Sequence, residues 1–449
     1  MKRSRHSVLL NAFRPATEVD DPNFFAGRAE QIEQLTDSLH IPGSCPIIYG
    51  GRGLGKTSLA LQAMYIAMGD NALLNTLGLE DRALDADSQF LAFFVTCTDS
   101  TKNFNGLTQL LINTAEEADF SEESKGNKAG RLAGRTVSRK ISLKAFEAES
   151  IKRYEREKSR QSYKVLSRPE KLQELIRILN NSYHMPVLFI IDEIDRLVSS
   201  RGLGSFIKAT SGEYAKFVLV GIASNISGLL SDHRSLERSL APVHVPPMTR
   251  SELYQITRKA EEYLAAQAIE LRFDHSAKRK LVEVASGYPW FVHVLGQSAL
   301  MLTAEANRDL IVESDVVLAV DTITRNRFAQ QFSDFYLFVV RNSYERETAL
   351  RTFAEWRDTD IPLGEVYKVL KNTFGVNNPS TYKGQLASRE YGRVIVTPEH
   401  RNPTWVRFDN EMFKIYVRLR RSIFPDVDEN VRKATRNWRR SSLTPTPNP

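Results

Sequence analysis

Residues 50 to 58 have the composition of a phosphate-binding loop. The run Gly50-x-x-x-x-Gly55-Lys56-Thr57 follows a short apolar stretch at 46–49 and leads into residues that favour a helix. Glycine lets the backbone turn its N–H groups toward an anion, and the start of a helix adds partial positive charge. The predicted phosphate ligands are Gly50, Gly51, Arg52, Gly53, Leu54, Gly55, Lys56, Thr57 and Ser58.

Lys56 and Thr57 would have separate roles in such a loop. Lys56 would reach the β- and γ-phosphates as a point charge, and the Thr57 hydroxyl would bind Mg²⁺. A glycine-rich surface turn is the alternative explanation, but the apolar run before the loop and the helix-favouring run after it support the nucleotide site. The sequence therefore predicts ATP and Mg²⁺ as cofactors.

A second apolar run, at 186–191, ends in the carboxylates of Asp192 and Glu193. In a nucleotide site Asp192 would hold the Mg²⁺ shell through water, and Glu193 would accept a proton from the attacking water. An apolar strand that ends in acidic residues is common by itself. Because it follows a phosphate loop here, we predict that Thr57 and Asp192 form the metal site and that Glu193 is catalytic.

A third apolar run, at 216–222, is followed by Asn225, whose amide would position the attacking water against the γ-phosphate. Beyond it, Arg234 and Arg238 have the spacing of residues on one helix face. Two explanations remain open. They form salt bridges at the surface, or one of them reaches the γ-phosphate of a neighbouring subunit.

The composition is that of a soluble globular chain with a basic excess. The 449 residues carry a net charge of +7, which permits a polyanionic partner, and exceed what one simple core holds. The two cysteines, Cys45 and Cys97, form no disulfide framework, so we expect a reducing cytoplasm. No apolar stretch approaches the roughly 20 residues of a membrane span, and we expect no membrane partner.

The segment 121–171 interrupts the regular pattern with fifteen Lys and Arg against seven Glu, a local charge of 15 − 7 = +8. Its first part is predicted to be a mobile loop, followed by a strand at 141–146 and a charged helix at 150–163. A basic insertion of this kind suggests nucleic-acid contact, and a solvated charged excursion is equally consistent with the residues.

The alternation of strands and helices predicts an α/β fold, a P-loop parallel sheet with helices on both faces. The winged helix is predicted from a long helix at 332–356, helices at 363–371 and 380–388, and a hairpin of 393–397 with 404–408. The predicted domains are a mobile basic arm at 1–22, the sheet core at 23–247 with its insertion at 121–171, a helical lid at 248–327, the winged helix at 328–425 and a basic disordered tail at 426–449.

These segments together resemble the AAA+ and STAND-type ATPases, especially origin-recognition initiators and bacterial STAND ATPases with a C-terminal winged helix. The resemblance implies that Phe25 and Arg28 line the adenine pocket, that Asn225 is sensor 1 and that Arg238 is the arginine finger. Initiators place a sensor 2 arginine in the lid, where this chain has Trp290. The run Gly287-Tyr-Pro289 is similar instead to a Gly-x-Pro motif of STAND ATPases, which implies that Pro289 packs on the nucleotide.

Two classes of function follow from the sequence. One is an ATPase that assembles on nucleic acid, using the basic insertion and the wing residues Arg393, His400, Arg401 and Arg407. The other is a STAND-type switch that acts through protein partners in signalling or anti-phage defence. Self-association is expected in both classes. The dependence of duplex binding on salt would separate them, because phosphate neutralisation makes affinity fall steeply with salt.

Overall fold

The computed structural model describes residues 4–117, 166–212, 214–222, 238–325, 330–356, 358–398 and 401–441. The chain divides into two compact units. The sheet unit comprises Ala16–Gly50 and Leu54–Pro246, and the helical unit comprises Met1–Pro15, Gly51–Gly53 and Pro247–Pro449. The predicted strand at 141–146 and helix at 150–163 lie outside the described residues, as do Asn225, Arg234 and His400.

The sheet unit is built from five parallel strands and the helices between them. The strand order β2-β3-β4-β1-β5 places β1, which precedes the phosphate loop, next to β4. The strands are β1 (Cys45–Tyr49), β2 (Leu91–Thr96), β3 (Val187–Asp192), β4 (Ala215–Gly221) and β5 (Leu240–His244); the helices, after α1 (Arg5–Asn11) of the other unit, are α2 (Ala29–His40), α3 (Lys56–Ala67), α4 (Ala72–Leu77), α5 (Phe104–Glu117), α6 (Arg168–Tyr183) and α7 (Leu203–Thr210).

The centre of this sheet is buried on both faces, as parallel strands flanked by helices are. Every residue of β3 is buried, and its Phe189 stacks on Phe93 of β2 with ring centroids 5.2 Å apart and on Phe217 of β4 at 5.8 Å. The register pairs Thr96 with Asp192, so the polar residues that end β2 and β3 lie side by side. The predicted parallel-sheet P-loop fold is confirmed.

Lys216 is the exception in buried strand β4, where it is only 3% exposed. Its ammonium donates to the carbonyls of Ser38 (2.8 Å) and Ile41 (2.7 Å) at the end of α2, and to Ser44 Oγ at 3.1 Å. The last carbonyls of a helix have no hydrogen-bond donors within the helix, and here the lysine ammonium is their donor. Burial lowers the pKa of Lys216 to about 8.

The N-terminal residues correct the prediction of a mobile arm at 1–22. Helix α1 is followed by Phe13, which is 1% exposed and contacts Phe273 edge to face, with centroids 6.0 Å apart. A side chain at Gly296 would lie 2.6 Å from the Phe13 ring, so a glycine is needed there. Burial of an aromatic ring outweighs the entropy of a short basic segment.

The rest of the helical unit begins with a group of four helices in the range for which a helical lid was predicted. These helices are α8 (Arg250–Ala266), α9 (His275–Ala285), α10 (Pro289–Glu305) and α11 (Glu313–Arg325), and two short strands, β6 (Arg272–Phe273) and β7 (Leu310–Ile311), pair in parallel between them. Capping signals in the sequence set two starts: Thr249 and Glu252 form a capping box, and Asp274 accepts the N–H of Ala277 at 2.6 Å.

The C-terminal elements have the order helix, strand, helix, helix, strand, strand, and the first strand was not part of the predicted winged helix. Those six are α13 (Tyr344–Ala354), β8 (Ile361–Pro362), α14 (Leu363–Phe374), α15 (Pro379–Ala387), β9 (Ile395–Val396) and β10 (Trp405–Phe408), preceded by α12 (Gln330–Val340) and followed by α16 (Glu411–Leu419). The long helix predicted at 332–356 is wrong, because Arg341 and Asn342 adopt positive φ and Ser343 caps a new helix.

The predicted disordered tail at 426–449 is also corrected, because α17 occupies Pro425–Ser441. Val427, Val431 and Thr435 are buried at a spacing of four residues, which gives the helix an apolar stripe along a highly charged sequence. No helix among the described residues is long and apolar enough to cross a membrane.

Candidate nucleotide-binding site

The phosphate loop connects β1 to α3 and takes its shape from its glycines. Gly50 has no room for a side chain, since a Cβ there would lie 2.5 Å from the carbonyl oxygen of Val245. Gly55 has φ +86° immediately before the first residue of α3, a conformation that other residues adopt only with strain. Lys56 and Thr57 are the first two residues of that helix, so both lie at a helix N-terminus.

Thr57 and Asp192 meet at the carboxyl end of the sheet. The Thr57 hydroxyl donates to Asp192 Oδ2 at 2.7 Å, and the backbone N–H of Glu193 donates to Oδ1 at 2.7 Å. Asp192 is 3% exposed, and burial raises the pKa of its carboxyl, although both hydrogen bonds act in the opposite direction. Hydroxyl and carboxylate oxygens are the ligands that Mg²⁺ prefers, so this pair fits a magnesium ion.

Glu193 follows directly and is held in a turn. Its backbone adopts φ +52°, and its carboxylate pairs with Arg196 across the short 3₁₀ turn Ile194–Arg196. Arg196 also pairs with Asp99 at 2.7 Å, beyond the end of β2. These three side chains are between 40% and 94% exposed, so the ion pairs are surface pairs of modest strength. Arg196 was not among the predicted site residues, although its spacing of three from Glu193 was a usable signal.

The end of β4 lies against the same turn. The N–H of Ile222 donates to Asp195 Oδ1 at 3.2 Å, and a Cβ on Gly221 would lie 2.9 Å from that oxygen. The predicted sensor Asn225 comes three residues later and lies outside the described residues. Arg238 is exposed in a turn directly before β5, and its predicted role in catalysis stays a prediction.

Two predicted ligands already bind protein groups. Ser58 Oγ accepts the N–H of Val19 at 2.9 Å, and Gln62, one turn further along α3, donates to the carbonyls of Val19 and Asp20. Arg28 is 3% exposed and donates through Nη2 to the carbonyl of Leu54 at 3.0 Å. The chain before α2 therefore holds the phosphate loop and the first turns of α3.

Phe25 and Pro289 are the other residues predicted to contact the nucleotide. Phe25 is 5% exposed and lies in the sheet unit. Pro289 is the first residue of α10 in the helical unit, and the preceding Gly287 has φ +92° with a Cβ position 2.7 Å from Pro247. Trp290, which stands where initiators place a sensor 2 arginine, donates its indole N–H to the carbonyl of Pro15 at 3.0 Å. The roles of Phe25 and Pro289 stay predictions.

Similar solved structures include initiator proteins and a branch-migration motor. Cdc6p from Pyrobaculum aerophilum is 13% identical, with 97% of this chain and 99% of that chain covered at a TM-score of 0.42. The Aeropyrum pernix ORC2 protein is 14% identical, with 97% of this chain and 99% of that chain covered at a TM-score of 0.44. Thermotoga maritima RuvB is 16% identical, with 87% of this chain and 94% of that chain covered at a TM-score of 0.38. These similarities are too distant to support an argument.

The family comparison is specific. The model of the family described as Novel STAND NTPase 1 matches residues 10–289, which is more than half of the chain and includes the phosphate loop, Asp192 and Glu193. Comparison with curated protein sequences finds no match. The predicted resemblance to STAND-type NTPases is thereby confirmed, and the chain belongs to the Novel STAND NTPase 1 family, as a P-loop NTPase.

Proposed function

We propose that the nucleotide is Mg-ATP and that the chain hydrolyses it. The observation that carries this proposal is the 2.7 Å hydrogen bond between Thr57 and Asp192 at the end of a glycine loop. The hydroxyl of Thr57, in the first turn of α3, and the carboxylate at the end of β3 converge there, and the charge of Lys56 opposes the rise in the Asp192 pKa that burial causes. Such a set of groups serves a metal–phosphate ligand better than it serves the fold, because burial of Asp192 costs free energy.

The residues divide the chemistry between them. Lys56 and the N–H groups of the loop would bind and orient the phosphates, and Thr57 and Asp192 would hold Mg²⁺. The metal supplies charge neutralisation at the transferred phosphoryl group. Glu193 would accept a proton from the attacking water, for which its carboxylate must leave Arg196 at least in part. The exposed ion pair is weak enough to exchange when nucleotide binds.

Removal of the Lys56 ammonium tests the binding step. Lys56→Ala should abolish binding of a fluorescent ATP analogue while circular dichroism shows an unchanged fold. Lys208→Ala, an exposed lysine on α7, is the matched control and should bind normally. Equal binding by the Lys56 variant and the control would refute the assignment of this loop.

Glu193→Gln tests the chemical step. The amide cannot accept the proton of water, so turnover should fall by about 10² to 10⁴ while ATP stays bound. Single-turnover measurements with radiolabelled ATP separate the two quantities. Normal turnover in this variant would assign the base elsewhere.

We also propose that hydrolysis is completed between subunits, with Arg238 reaching the γ-phosphate of a neighbour. The proposal rests on the resemblance to initiators and on the exposure of Arg238 beside the sheet. An arginine finger contributes on the order of 10³ to 10⁵ in turnover. Arg238→Ala should therefore keep its ATP affinity and lose hydrolysis, and mixing it with Lys56→Ala subunits should restore some activity. Normal hydrolysis by Arg238→Ala would exclude this role.

Nucleic-acid contact is the proposed use of the basic segment 121–171, supported by its charge of +8. The charge of one wing residue, Arg401, is partly neutralised within the protein, since Arg401 pairs with Asp360 at 3.3 Å and stacks on Trp405. Deletion of 121–140 should weaken duplex binding and flatten its dependence on salt. Absence of any binding at low salt would favour the alternative, a switch that acts through protein partners.

A further inference from the structure

Arg28 has a contact that suits it for a task other than reading a base. It is buried between α2, which begins at the next residue, and the phosphate loop, and its guanidinium donates to the Leu54 carbonyl at 3.0 Å. Leu54 is itself 3% exposed and lies between Gly53 and Gly55, both at positive φ. The guanidinium therefore contacts the loop between two glycines, the residues with the greatest backbone freedom.

Because the peptide bond is planar, this contact also fixes the orientation of the Leu54–Gly55 peptide. Leu54 C=O and Gly55 N–H belong to one peptide unit, and the described chain contains no cis peptide bond. In a planar trans peptide these two groups point to opposite sides. A guanidinium fixed on the carbonyl side therefore directs the Gly55 N–H away from Arg28. Because hydrogen-bonded groups polarise one another, the charge on Arg28 also makes that N–H a stronger donor.

The backbone around Arg28 is held firmly enough for this purpose. Gly27 and Arg28 adopt φ +64° and +65°, and the Arg28 carbonyl accepts the N–H of Ile32 at 2.9 Å in the first turn of α2. The residues before them, Phe24 and Phe25, are 6% and 5% exposed. A left-handed arginine costs conformational free energy, which packing on both sides offsets.

We propose that Arg28 is a positioning residue that orients the Leu54–Gly55 peptide so that the Gly55 N–H faces a bound phosphate. The inference rests on the proposed function of the loop and is an alternative to the expectation that the Arg28 side chain lines an adenine pocket. Arg28 acts on every ligand that carries the polyphosphate, whatever its base. Its loss affects phosphate affinity and leaves the preference for one base unchanged.

The test compares three ligands in the full-length protein. Dissociation constants of Mg²⁺ complexes of ATP, GTP and inorganic triphosphate are measured for wild type and Arg28→Met, which keeps an unbranched apolar stem. All three affinities should weaken by the same factor, roughly 10- to 100-fold for a buried charged hydrogen bond. Arg28→Lys, which restores one donor, should recover part of the loss. Arg82→Met is the matched control and should bind normally. It removes an arginine that pairs with Glu33 and Asp37, two residues of α2.

A changed ratio of ATP to GTP affinity with unchanged triphosphate affinity would overturn the proposal and assign Arg28 to base recognition. Amide hydrogen exchange without nucleotide gives a second measurement, because freeing the peptide should speed exchange at Gly55 and Lys56 in Arg28→Met. Unchanged exchange there would also overturn it. If wild type binds none of the three ligands, the proposed function fails, while faster exchange in Arg28→Met would still show that Arg28 orients the loop.

Discussion

Two buried carboxylates, Asp192 and Glu347, lie in different environments. Asp192 is 3% exposed and accepts one hydroxyl and one backbone N–H. Glu347 on α13 is fully buried and accepts the Tyr336 hydroxyl, the N–H groups of Ile423 and Phe424, and Arg351 Nε. The first carboxylate faces groups suited to a ligand, whereas the second is surrounded by partners from the protein.

The difference shows how to separate a site from a structural network. Arg351 completes the Glu347 network by donating to the carbonyls of Val417 and Arg420 and by pairing with Asp428. This set ties α13 to α16 and α17, and Arg351 pairs with both carboxylates, Glu347 and Asp428. The carboxyl of Asp192 is instead held with a raised pKa, a cost that a bound cation would remove.

The largest effect on stability should come from the satisfied network. Glu347→Ala removes one of the two carboxylates that pair with Arg351 and the acceptor of the Tyr336 hydroxyl, and loss of one partner of a buried ion pair costs about 3 to 5 kcal/mol. Urea denaturation should show this loss for the C-terminal elements, whereas Glu345→Ala, an exposed glutamate on the same helix, should change little. A small effect of Glu347→Ala would mean that the network is not required for stability.

A second buried polar group, His293, should make stability depend on pH. Its Nδ1 accepts the N–H of Arg14 at 3.2 Å, and burial lowers its pKa to about 4. Between the ordinary histidine pKa of about 6.5 and pH 4 the folded state binds fewer protons, so stability falls as pH falls, by on the order of 3 kcal/mol.

Thermal unfolding from pH 7 to pH 4 checks the contribution of His293. His293→Gln keeps an acceptor without the titration, so its melting temperature should fall less over this range than that of wild type. The exposed His275 on α9 provides the control, and His275→Gln should follow wild type. Identical pH dependence in all three proteins would contradict the assignment.

The smallest effect should come from Asp192 itself and should have the opposite sign. Because its pKa is raised in the fold, the folded state binds more protons just above the ordinary value, and stability is lost as pH rises through the folded pKa. Asp192→Asn should therefore melt at a higher temperature than wild type at pH 7, with the difference shrinking toward pH 4. Asp87→Asn, at an exposed position, should show no such gain. A less stable Asp192→Asn would place Asp192 with Glu347 as a structural residue.

The sequence predicted the elements whose signals are local. Strand β3 was placed almost to the residue, because its apolar run lies within the element. The Thr57–Asp192 contact was also predictable, since two strands of one parallel sheet end at the same edge. These features follow from residue type and spacing alone.

The elements that were missed depend on distant partners. Phe13 looked like one aromatic in a basic arm, and its pocket is formed by Phe273, His293 and Gly296, far along the chain. Helix α17 was not predicted because its sequence is highly charged, although the spacing of Val427 and Val431 indicated an apolar stripe. The Arg28 contact with Leu54 joins a side chain to a backbone carbonyl, which no residue pattern reports.

The docked N-terminus has a consequence for synthesis of the chain. Arg14 and its partner His293 are separated by 279 positions, so the segment around Phe13 is synthesised well before the helix that it packs against. At bacterial and eukaryotic elongation rates this interval is roughly 15 to 55 seconds. During that time the Phe13 ring has no pocket, and nascent chains should be a target for chaperones that bind short aromatic segments beside basic residues.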